Sequence, residues 1–312
     1  MKQQSGKMNE FVKVLPEIQE ALNSRRAIVA LESTIVAHGM PYPQNLETAN
    51  RLESIVREGG AIPATVAVVN GKLQVGCTES DLLALATEPK VLKVSRRDLP
   101  LALARKSLGA TTVSGTLIGC ELAGIRVFAT GGIGGVHRGA DQTWDVSADI
   151  PELAQSSVAV VSAGAKSILD LPKTLEALET AGVTVAGFGT DEFPAFFTAT
   201  SGLKVPHRVD SAEEMAAAMH AKWTLGLRGG FLIANPIPAE FSADPQQITA
   251  AIELGLRAAA AEGVTGKDLT PFLLRFVNEQ TAGKSLRANR ALVEHNVRVG
   301  ATVAAAYAIL MQ

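Results

Sequence analysis

The chain has 312 residues, which is enough for one large α/β domain or for two smaller domains. Apolar residues make up 47% of the sequence and charged residues 19%, which excludes an intrinsically disordered chain. The formal net charge of -2 excludes a strong global attraction to nucleic acid polymers or anionic membranes. Two cysteines are too few for a disulfide framework, the first ten residues are polar, and no apolar run is long enough for a membrane span. We therefore expect a cytoplasmic protein with a small-molecule substrate.

Short β-branched runs alternate with longer segments rich in alanine, leucine and glutamate. This pattern predicts an α/β fold, with a mixed, mostly parallel central sheet covered by helices on both faces in an αβα sandwich. Strands are predicted at residues 27–31, 91–94, 126–129, 158–162, 183–187 and 230–234. Helices are predicted at residues 45–58, 112–122, 211–225 and 245–262.

Two local patterns set the expected organisation of the chain. Asn70-Gly71 lies between alternating runs within residues 64–76, which predicts an antiparallel hairpin with a type I′ turn. No segment has the composition of an interdomain linker. We therefore expect residues 1–25 to form a helical N-terminal extension and residues 26–312 to form a single α/β catalytic domain.

Three motifs look functional but have the wrong spacing. The glycine cluster at residues 131–135 follows a predicted strand, but His137 stands where a GxGxxG motif has its third glycine. Gly283-Lys284-Ser285 resembles the end of a Walker A loop, but Asn278 replaces the first glycine. The five histidines show no HExxH spacing. A Rossmann dinucleotide site, a P-loop and a histidine zinc site are not expected.

The most informative segment is residues 158–171, in which a buried strand ends in a turn of small residues just before Lys166. Ligands of open α/β sheets bind beyond the C-terminal ends of the strands. We expect a helix to start at Lys166, so that apolar neighbours and the positive helix end favour the free amine that forms a Schiff base. The alternative is an anion-binding or surface lysine.

Carboxylates follow two other predicted strands. Glu32 comes directly after an apolar run, where an unpaired buried charge would be costly, so it either belongs to a site or accompanies a helix cap. Asp141, Asp145 and Asp149 are spaced four apart after the glycine cluster. Such oxygen ligands suit Mg²⁺ or Mn²⁺, and the alternative is a solvated acidic loop.

Two segments fit a phosphate-bearing substrate. The string KVSRRD at residues 93–98 follows a strand, and GATTVS at residues 109–114 opens a predicted helix whose free N–H groups could bind an anion. A surface ion pair with Asp98 and ordinary helix capping by threonine are the alternatives. Because the lysine, the carboxylates and these turns all lie at strand ends, the sequence favours an enzyme over a binding module.

Read in order, these segments resemble the pseudouridine-5′-phosphate glycosidase family, also called the indigoidine synthase A family. The matching strings are ALESTIVAHGMPYPQN, KVSRRDLP, GATTVSGT, FATGGIGGVHRGA, DVSAD, AGAKSILDL, PAFF, ANPIP and SLRAN, which together span residues 30–289. The resemblance implies reversible cleavage of pseudouridine 5′-phosphate to uracil and ribose 5-phosphate, by a lyase or glycosidase that uses Mn²⁺ or another divalent metal such as Mg²⁺. It also implies a homotrimer that acts in nucleotide metabolism. We expect this role to be pseudouridine degradation.

The resemblance also implies a role for individual residues. Lys166 would be the covalent nucleophile, Glu32 the proton donor and Asp145 the metal ligand. The residues implied in substrate binding are Lys93, Val113, Ser147, Ala148, Asp149, His137 and Asn289.

The chemistry of a C-glycoside explains the need for a lysine. The sugar is joined through carbon to C5 of uracil, so protonation of a leaving heteroatom cannot release it. An imine between Lys166 and the opened sugar would permit cleavage once C5 is protonated, with Glu32 as the acid and Lys93 balancing the anionic charge. Two alternatives are a metal-assisted N-nucleosidase acting on phosphorylated nucleosides and a non-catalytic sugar-phosphate binding protein.

Overall fold

The computed structural model describes residues 9–312, and within this range the chain forms eleven strands and thirteen α-helices. The strands are β1 (Val12–Val14), β2 (Ile28–Leu31), β3 (Ile62–Val69), β4 (Lys72–Val75), β5 (Leu92–Val94), β6 (Gly109–Thr111), β7 (Val127–Ala129), β8 (Ala159–Ser162), β9 (Thr184–Phe188), β10 (His207–Val209) and β11 (Phe231–Ala234). The helices are α1 (Pro16–Asn23), α2 (Thr34–His38), α3 (Gln44–Glu58), α4 (Glu79–Thr87), α5 (Leu99–Ala104), α6 (Val113–Ala123), α7 (Ala140–Thr143), α8 (Asp149–Gln155), α9 (Leu171–Thr180), α10 (Ala212–Thr224), α11 (Pro245–Glu262), α12 (Leu269–Gln280) and α13 (Lys284–Leu310). Two short 3₁₀ helices lie at Ala239–Phe241 and Gly266–Asp268.

The strands form one mixed sheet in the order β1-β4-β3-β2-β7-β8-β11-β9-β10, and β6 branches from β3 to pair with β5. All pairs are parallel except β3 with β4 and β3 with β6. Helices cover both faces, so the predicted fold class is confirmed. The strands β2, β8 and β11 are buried at every residue, as expected where a parallel sheet is covered on both sides.

The elements with clear sequence signals were predicted correctly. The six predicted strands correspond to β2, β5, β7, β8, β9 and β11, and the four predicted helices correspond to α3, α6, α10 and α11. The hairpin of β3 and β4 is also present, with Val66 paired to Val75. Asn70 and Gly71 both adopt positive φ, at 50° and 76°, as a type I′ turn requires.

The N-terminal segment contains a strand as well as the expected helix. β1 pairs in parallel with β4, and α1 follows it with Ile18 and Ala21 buried against the core. The first eight residues of the predicted extension lie outside the described residues. The division of the chain into an extension and a single domain stays a prediction.

The C-terminal helix α13 lies against the centre of the sheet, where it contacts β2, β7 and β8. Its approach is close because Gly300 faces the sheet, and a Cβ on this residue would lie 3.2 Å from the Cβ of Ala129. Within residues 9–312, no helix is both long and apolar enough to cross a membrane.

Candidate active site

A cavity of about 470 Å³ opens beyond the C-terminal ends of β2, β5, β6, β7 and β8. This is the edge at which open α/β sheets bind ligands. The structure brings together here all ten residues that the sequence singled out for the site: Glu32, Lys93, Val113, His137, Asp145, Ser147, Ala148, Asp149, Lys166 and Asn289. Their roles remain predictions, whereas their convergence on one cavity is observed in the structure.

Lys166 lies in an extended loop between β8 and α9. The prediction that a helix starts at this lysine is wrong, because α9 begins only at Leu171, where Asp170 caps it by accepting a hydrogen bond from the Lys173 N–H at 3.1 Å. The backbone of the loop pairs instead with the glycine cluster, and the Lys166 N–H donates to the Ile133 carbonyl at 3.0 Å. Backbone pairing, and not a helix terminus, therefore holds this lysine at the cavity.

The glycine cluster at residues 131–135 is a point of close packing. A Cβ on Gly134 would lie 2.3 Å from the Ser147 hydroxyl, and a Cβ on Gly132 would lie 2.6 Å from the ring of Phe196. Both Ser147 and Phe196 line the cavity. The next helix begins only at Ala140, which agrees with the rejection of a dinucleotide-binding motif.

The three aspartates spaced four apart do not form one cluster. Asp149 is 5% exposed, and its two carboxylate oxygens accept backbone N–H groups from Ser114 at 2.9 Å and Gly134 at 2.7 Å. Asp141 is exposed, with Lys173 Nζ 3.7 Å from its carboxylate. Of the three, only Asp145 lines the cavity with a carboxylate that is not already bonded to backbone N–H groups. The hypothesis of a shared three-aspartate site is therefore wrong.

Asp145 is the residue whose chemistry fits a divalent metal. The described residues contain no group of three or more His, Cys, Asp or Glu side chains placed to hold an ion. The Asp145 carboxylate has the Nδ1 of His137 3.9 Å away. One carboxylate fits Mg²⁺ or a similar hard cation, which keeps several waters and completes its shell with substrate oxygens.

Glu32 follows β2 and is held by two threonine hydroxyls. Thr34 Oγ1 donates to one carboxylate oxygen, and Thr130 Oγ1 donates to the other. Ser33 is turned away from them: its hydroxyl donates to the Val66 carbonyl at 2.7 Å and accepts the Thr111 N–H at 2.8 Å. The hydroxyl of Ser33 thus connects the end of β2 to the middle of β3 and the end of β6, and it makes no side-chain capping bond to α2.

Two basic side chains in the cavity have a pKa below the ordinary value. Burial lowers the pKa of Lys93, and the nearby positive charge of Lys166 lowers it further, while the carboxylates of Asp149 and Glu32 act in the opposite direction. Burial also lowers the pKa of His137, and the two lysines add to the effect against the opposing charge of Asp145. The cavity therefore holds two lysines close enough to influence each other, a feature of sites that need a neutral amine.

The two arginines after β5 have different partners. Arg96 donates from Nε and Nη2 to the carboxylate of Glu152, at 2.6 and 2.7 Å, and Glu152 is only 2% exposed. Arg97 has a side chain that is 78% exposed, and its Nε lies 3.9 Å from Asp98, so the expected surface ion pair exists for this residue alone. The segment at residues 109–114 leads into α6 as predicted: residues 109–111 form β6, and Thr112 caps the helix by accepting the Gly115 N–H at 3.3 Å, which is the capping alternative.

We expect Lys93→Met to raise the melting temperature at pH 7. Because folding lowers the pKa of Lys93, its protonation opposes folding below that pKa, and the penalty disappears as the pH approaches the value of an unfolded lysine. The increase in melting temperature over the wild type should therefore be large at pH 7 and should become small above about pH 10.4, where an unfolded lysine is also neutral. Lys173→Met is the matched control: Asp170 raises the pKa of Lys173, so its loss should not stabilise. A lower melting temperature for Lys93→Met at pH 7 would contradict this explanation.

Several cavity residues were not found from the sequence. Thr34 lines the cavity and Thr130, the neighbour of Gly131, does not; both follow predicted strand ends, where a hydroxyl could have been noted beside Glu32. Phe196 belongs to the matching string PAFF, but its position in the wall and its φ of 64° have no signal in the sequence. Residues of the α12 region also line the cavity, namely Gly266, Thr270, Pro271 and Leu274. They come from a segment that follows no strand.

Known proteins resemble this chain over almost its whole length. The sequence profile described as "Indigoidine synthase A like protein" matches residues 17–306. A protein of Caldanaerobacter subterraneus subsp. tengcongensis named pseudouridine-5′-phosphate glycosidase is 57% identical over 297 residues, which cover 95% of this chain and 97% of that relative. A protein of the same name from Geobacillus kaustophilus is 56% identical over 297 residues, covering 95% of this chain and 99% of the relative.

Two solved structures have the same fold. The prealnumycin C-glycosynthase AlnA, determined in complex with ribulose 5-phosphate, superimposes with a TM-score of 0.90 at 39% identity, covering 97% of this chain and 99% of that chain. An indigoidine synthase A-like protein from Thermotoga maritima gives a TM-score of 0.86 at 35% identity, covering 95% of this chain and 96% of that chain.

Proposed function

Because the chain belongs to the indigoidine synthase A-like family, we propose that it is a pseudouridine-5′-phosphate glycosidase. In this proposal it reversibly cleaves the bond between C1′ of the sugar and C5 of uracil, and it acts in pseudouridine degradation. The observation that carries the proposal is the convergence of Lys166, Lys93 and Glu32 on one cavity at the sheet edge. This is the set of groups that cleavage of a carbon-carbon glycosidic bond requires.

The first step opens the sugar ring. The neutral amine of Lys166 bonds to C1′ while the bond between C1′ and O4′ breaks, and Glu32 donates its proton to O4′. The alkylated nitrogen then loses a proton, which can return to Glu32. The hydroxyls of Thr34 and Thr130 hold the Glu32 carboxylate in place for both transfers.

The second step breaks the carbon-carbon bond. Glu32 protonates C5 of the base, the lone pair of the lysine nitrogen forms a C=N bond to C1′, and the electron pair of the C1′–C5 bond stays with the departing uracil. Water then hydrolyses the imine, which releases ribose 5-phosphate and restores Lys166. The net reaction consumes one water and leaves the enzyme unchanged.

The remaining cavity residues bind and orient the substrate in this proposal. Lys93 balances the charge of the phosphorylated sugar, and the string Ser147–Asp149, Val113, His137 and Asn289 contact the substrate. The carboxylate of Asp149 also accepts two backbone N–H groups, so besides its proposed substrate contact it fixes the glycine cluster against the start of α6. Asp145 would hold a divalent metal, Mn²⁺ in our proposal, which supplies Lewis-acid charge near the substrate oxygens when bound.

The decisive experiment is a product assay with the full chain. Pseudouridine 5′-phosphate should yield uracil and ribose 5-phosphate in equal amounts by chromatography, and uridine 5′-monophosphate, with the same groups joined through nitrogen, should yield neither. Dialysis against a chelator should lower the rate, and Mn²⁺ should restore it in the wild type at a lower concentration than in Asp145→Asn. Binding without product would favour a sugar-phosphate binding protein, and release of base from the N-linked compound would favour an N-nucleosidase.

Two further parts of the proposal concern the protein as a whole. We propose a homotrimer in the cytoplasm, with no nucleic acid polymer and no membrane as partner. Light scattering of the purified chain tests the oligomeric state, and a mass other than three chains would contradict it.

A further inference from the structure

We propose that Asn296 is a positioning residue that sets the geometry of Glu32 through the backbone of Thr130. Asn296 lies in the middle of α13 and has no exposed surface. It does not line the cavity, and it belongs to none of the strings that match the family. The inference rests on the proposed function, because it concerns the acid of that reaction.

The amide of Asn296 binds the chain where β7 ends. Its Nδ2 donates to the carbonyl of Thr130 at 2.8 Å and to the carbonyl of Gly131 at 3.2 Å. Both carbonyls belong to buried residues that have left the strand ladder at Ala129. The Gly131 carbonyl also accepts the Ala163 N–H at 2.9 Å, so the Asn296 amide matters most at the Thr130 carbonyl, which is buried and would be costly to leave unpaired.

The same turn carries the contact to Glu32. The hydroxyl of Thr130 donates to one carboxylate oxygen of Glu32, while the backbone N–H of Thr130 donates to the Val161 carbonyl at 3.0 Å. Three bonds therefore fix Thr130, and the one from Asn296 is the only one of the three that comes from outside the strands and the site. Removal of this amide takes away one of the three bonds that fix Thr130 and so loosens the residue that orients the acid.

The orientation of the Asn296 amide is itself determined. Nδ2 of Asn235 donates to Oδ1 of Asn296 at 2.9 Å, so the oxygen faces Asn235 and the amino group faces the two carbonyls. Asn235 follows β11, and its backbone N–H donates to Ser162 at the end of β8 at 2.8 Å. Asn296 and Asn235 together therefore connect the ends of three neighbouring strands: the Asn296 side chain bonds to the end of β7 and to Asn235 after β11, and the backbone of Asn235 bonds to the end of β8.

Asn296→Ala tests the inference by steady-state kinetics. We expect kcat for cleavage of pseudouridine 5′-phosphate to fall by about 30- to 100-fold, since a misplacement of about 1 Å costs about that much, while KM changes by less than about threefold. Asn296→Asp keeps the size but cannot donate two hydrogen bonds, and kcat should fall in the same way. Gln74→Ala is the matched control. Gln74 is also a buried amide, bonded to Lys13 and Asp81, and none of the three lines the cavity.

A double-mutant cycle separates positioning from a general loss of stability. If Asn296 acts through Thr130, Asn296→Ala should lower kcat by less than about threefold when added to Thr130→Val, whereas Gln74→Ala combined with Thr130→Val should give the product of the single effects. The inference would be overturned if the effects of Asn296→Ala and Thr130→Val on kcat multiplied in the double variant, or if kcat of both Asn296 variants stayed within threefold of the wild type. Either result would leave the proposed function intact. An inactive wild type would overturn the proposed function and this inference with it.

Discussion

Lys166→Ala is expected to lower kcat for cleavage of pseudouridine 5′-phosphate by about 10⁴-fold or more, because the proposed mechanism loses its nucleophile and its electron sink together. Ribose 5-phosphate should still bind, since Lys93 and the other cavity residues remain in place. Lys173→Ala is the control for loss of a lysine, because Lys173 lies outside the cavity and pairs with Asp170 at 3.1 Å. Its kcat should equal that of the wild type.

Borohydride trapping identifies the nitrogen that reacts. Added during turnover, borohydride should reduce the imine and leave a ribose phosphate adduct on the peptide that contains Lys166. Mass spectrometry should find no adduct on the peptide that contains Lys93, although Lys93 lies in the same cavity. An adduct on Lys93 would reverse the roles of the two lysines, and substantial activity in Lys166→Ala would favour the metal-assisted N-nucleosidase.

Glu32→Gln should lower kcat by about 10²- to 10⁴-fold, the usual effect of losing a general acid-base group, with little change in substrate binding measured by calorimetry. Glutamine has nearly the same shape but cannot give up and regain the proton that the two steps require.

Glu53→Gln is a closely matched control for this substitution. Glu53 is also a largely buried glutamate that accepts a bond from a threonine hydroxyl, here Thr65 at 2.6 Å, but it does not line the cavity. Burial raises the pKa of Glu53, so its neutral replacement should be tolerated. Wild-type kcat in Glu32→Gln, or an equal loss in both variants, would remove Glu32 from the role of acid.

The sequence predicted the parts of the fold that have strong periodic signals. The central strands are apolar on both faces, which made β2, β8 and β11 easy to recognise. The strands that were missed, β1, β6 and β10, have three residues each, and unlike the equally short β7 none of them is an uninterrupted apolar run. The start of α9 was misplaced because Lys166 follows a strand directly, and only the structure shows that its loop pairs with the glycine cluster.

The site was predictable as a set of residues but not as a set of contacts. Parallel strands bring their C-terminal ends to one edge, so residues after β2, β7 and β8 had to meet, whereas β5, which carries Lys93, runs in the opposite direction and gave no such expectation. The bonds that hold them could not be read from the sequence, because many involve backbone groups far away in the chain. Asp149, for example, binds the N–H of Ser114, which is 35 residues away, and backbone groups leave no pattern in the order of side chains.

The bonds from Asn296 to the end of β7 can form only after the ribosome has synthesised α13, so the site is completed late in translation. Asn296 and Thr130 are 166 residues apart, which a ribosome adding about 5–20 residues per second covers in roughly 8–33 s. For most of that interval the chain has Glu32, Lys93 and Lys166, but the turn after β7 lacks its support from α13. If Lys166 is the nucleophile that we propose, a nascent chain carries it well before the site is complete, and chains that stop before the last helix should bind sugar phosphates poorly and show no cleavage.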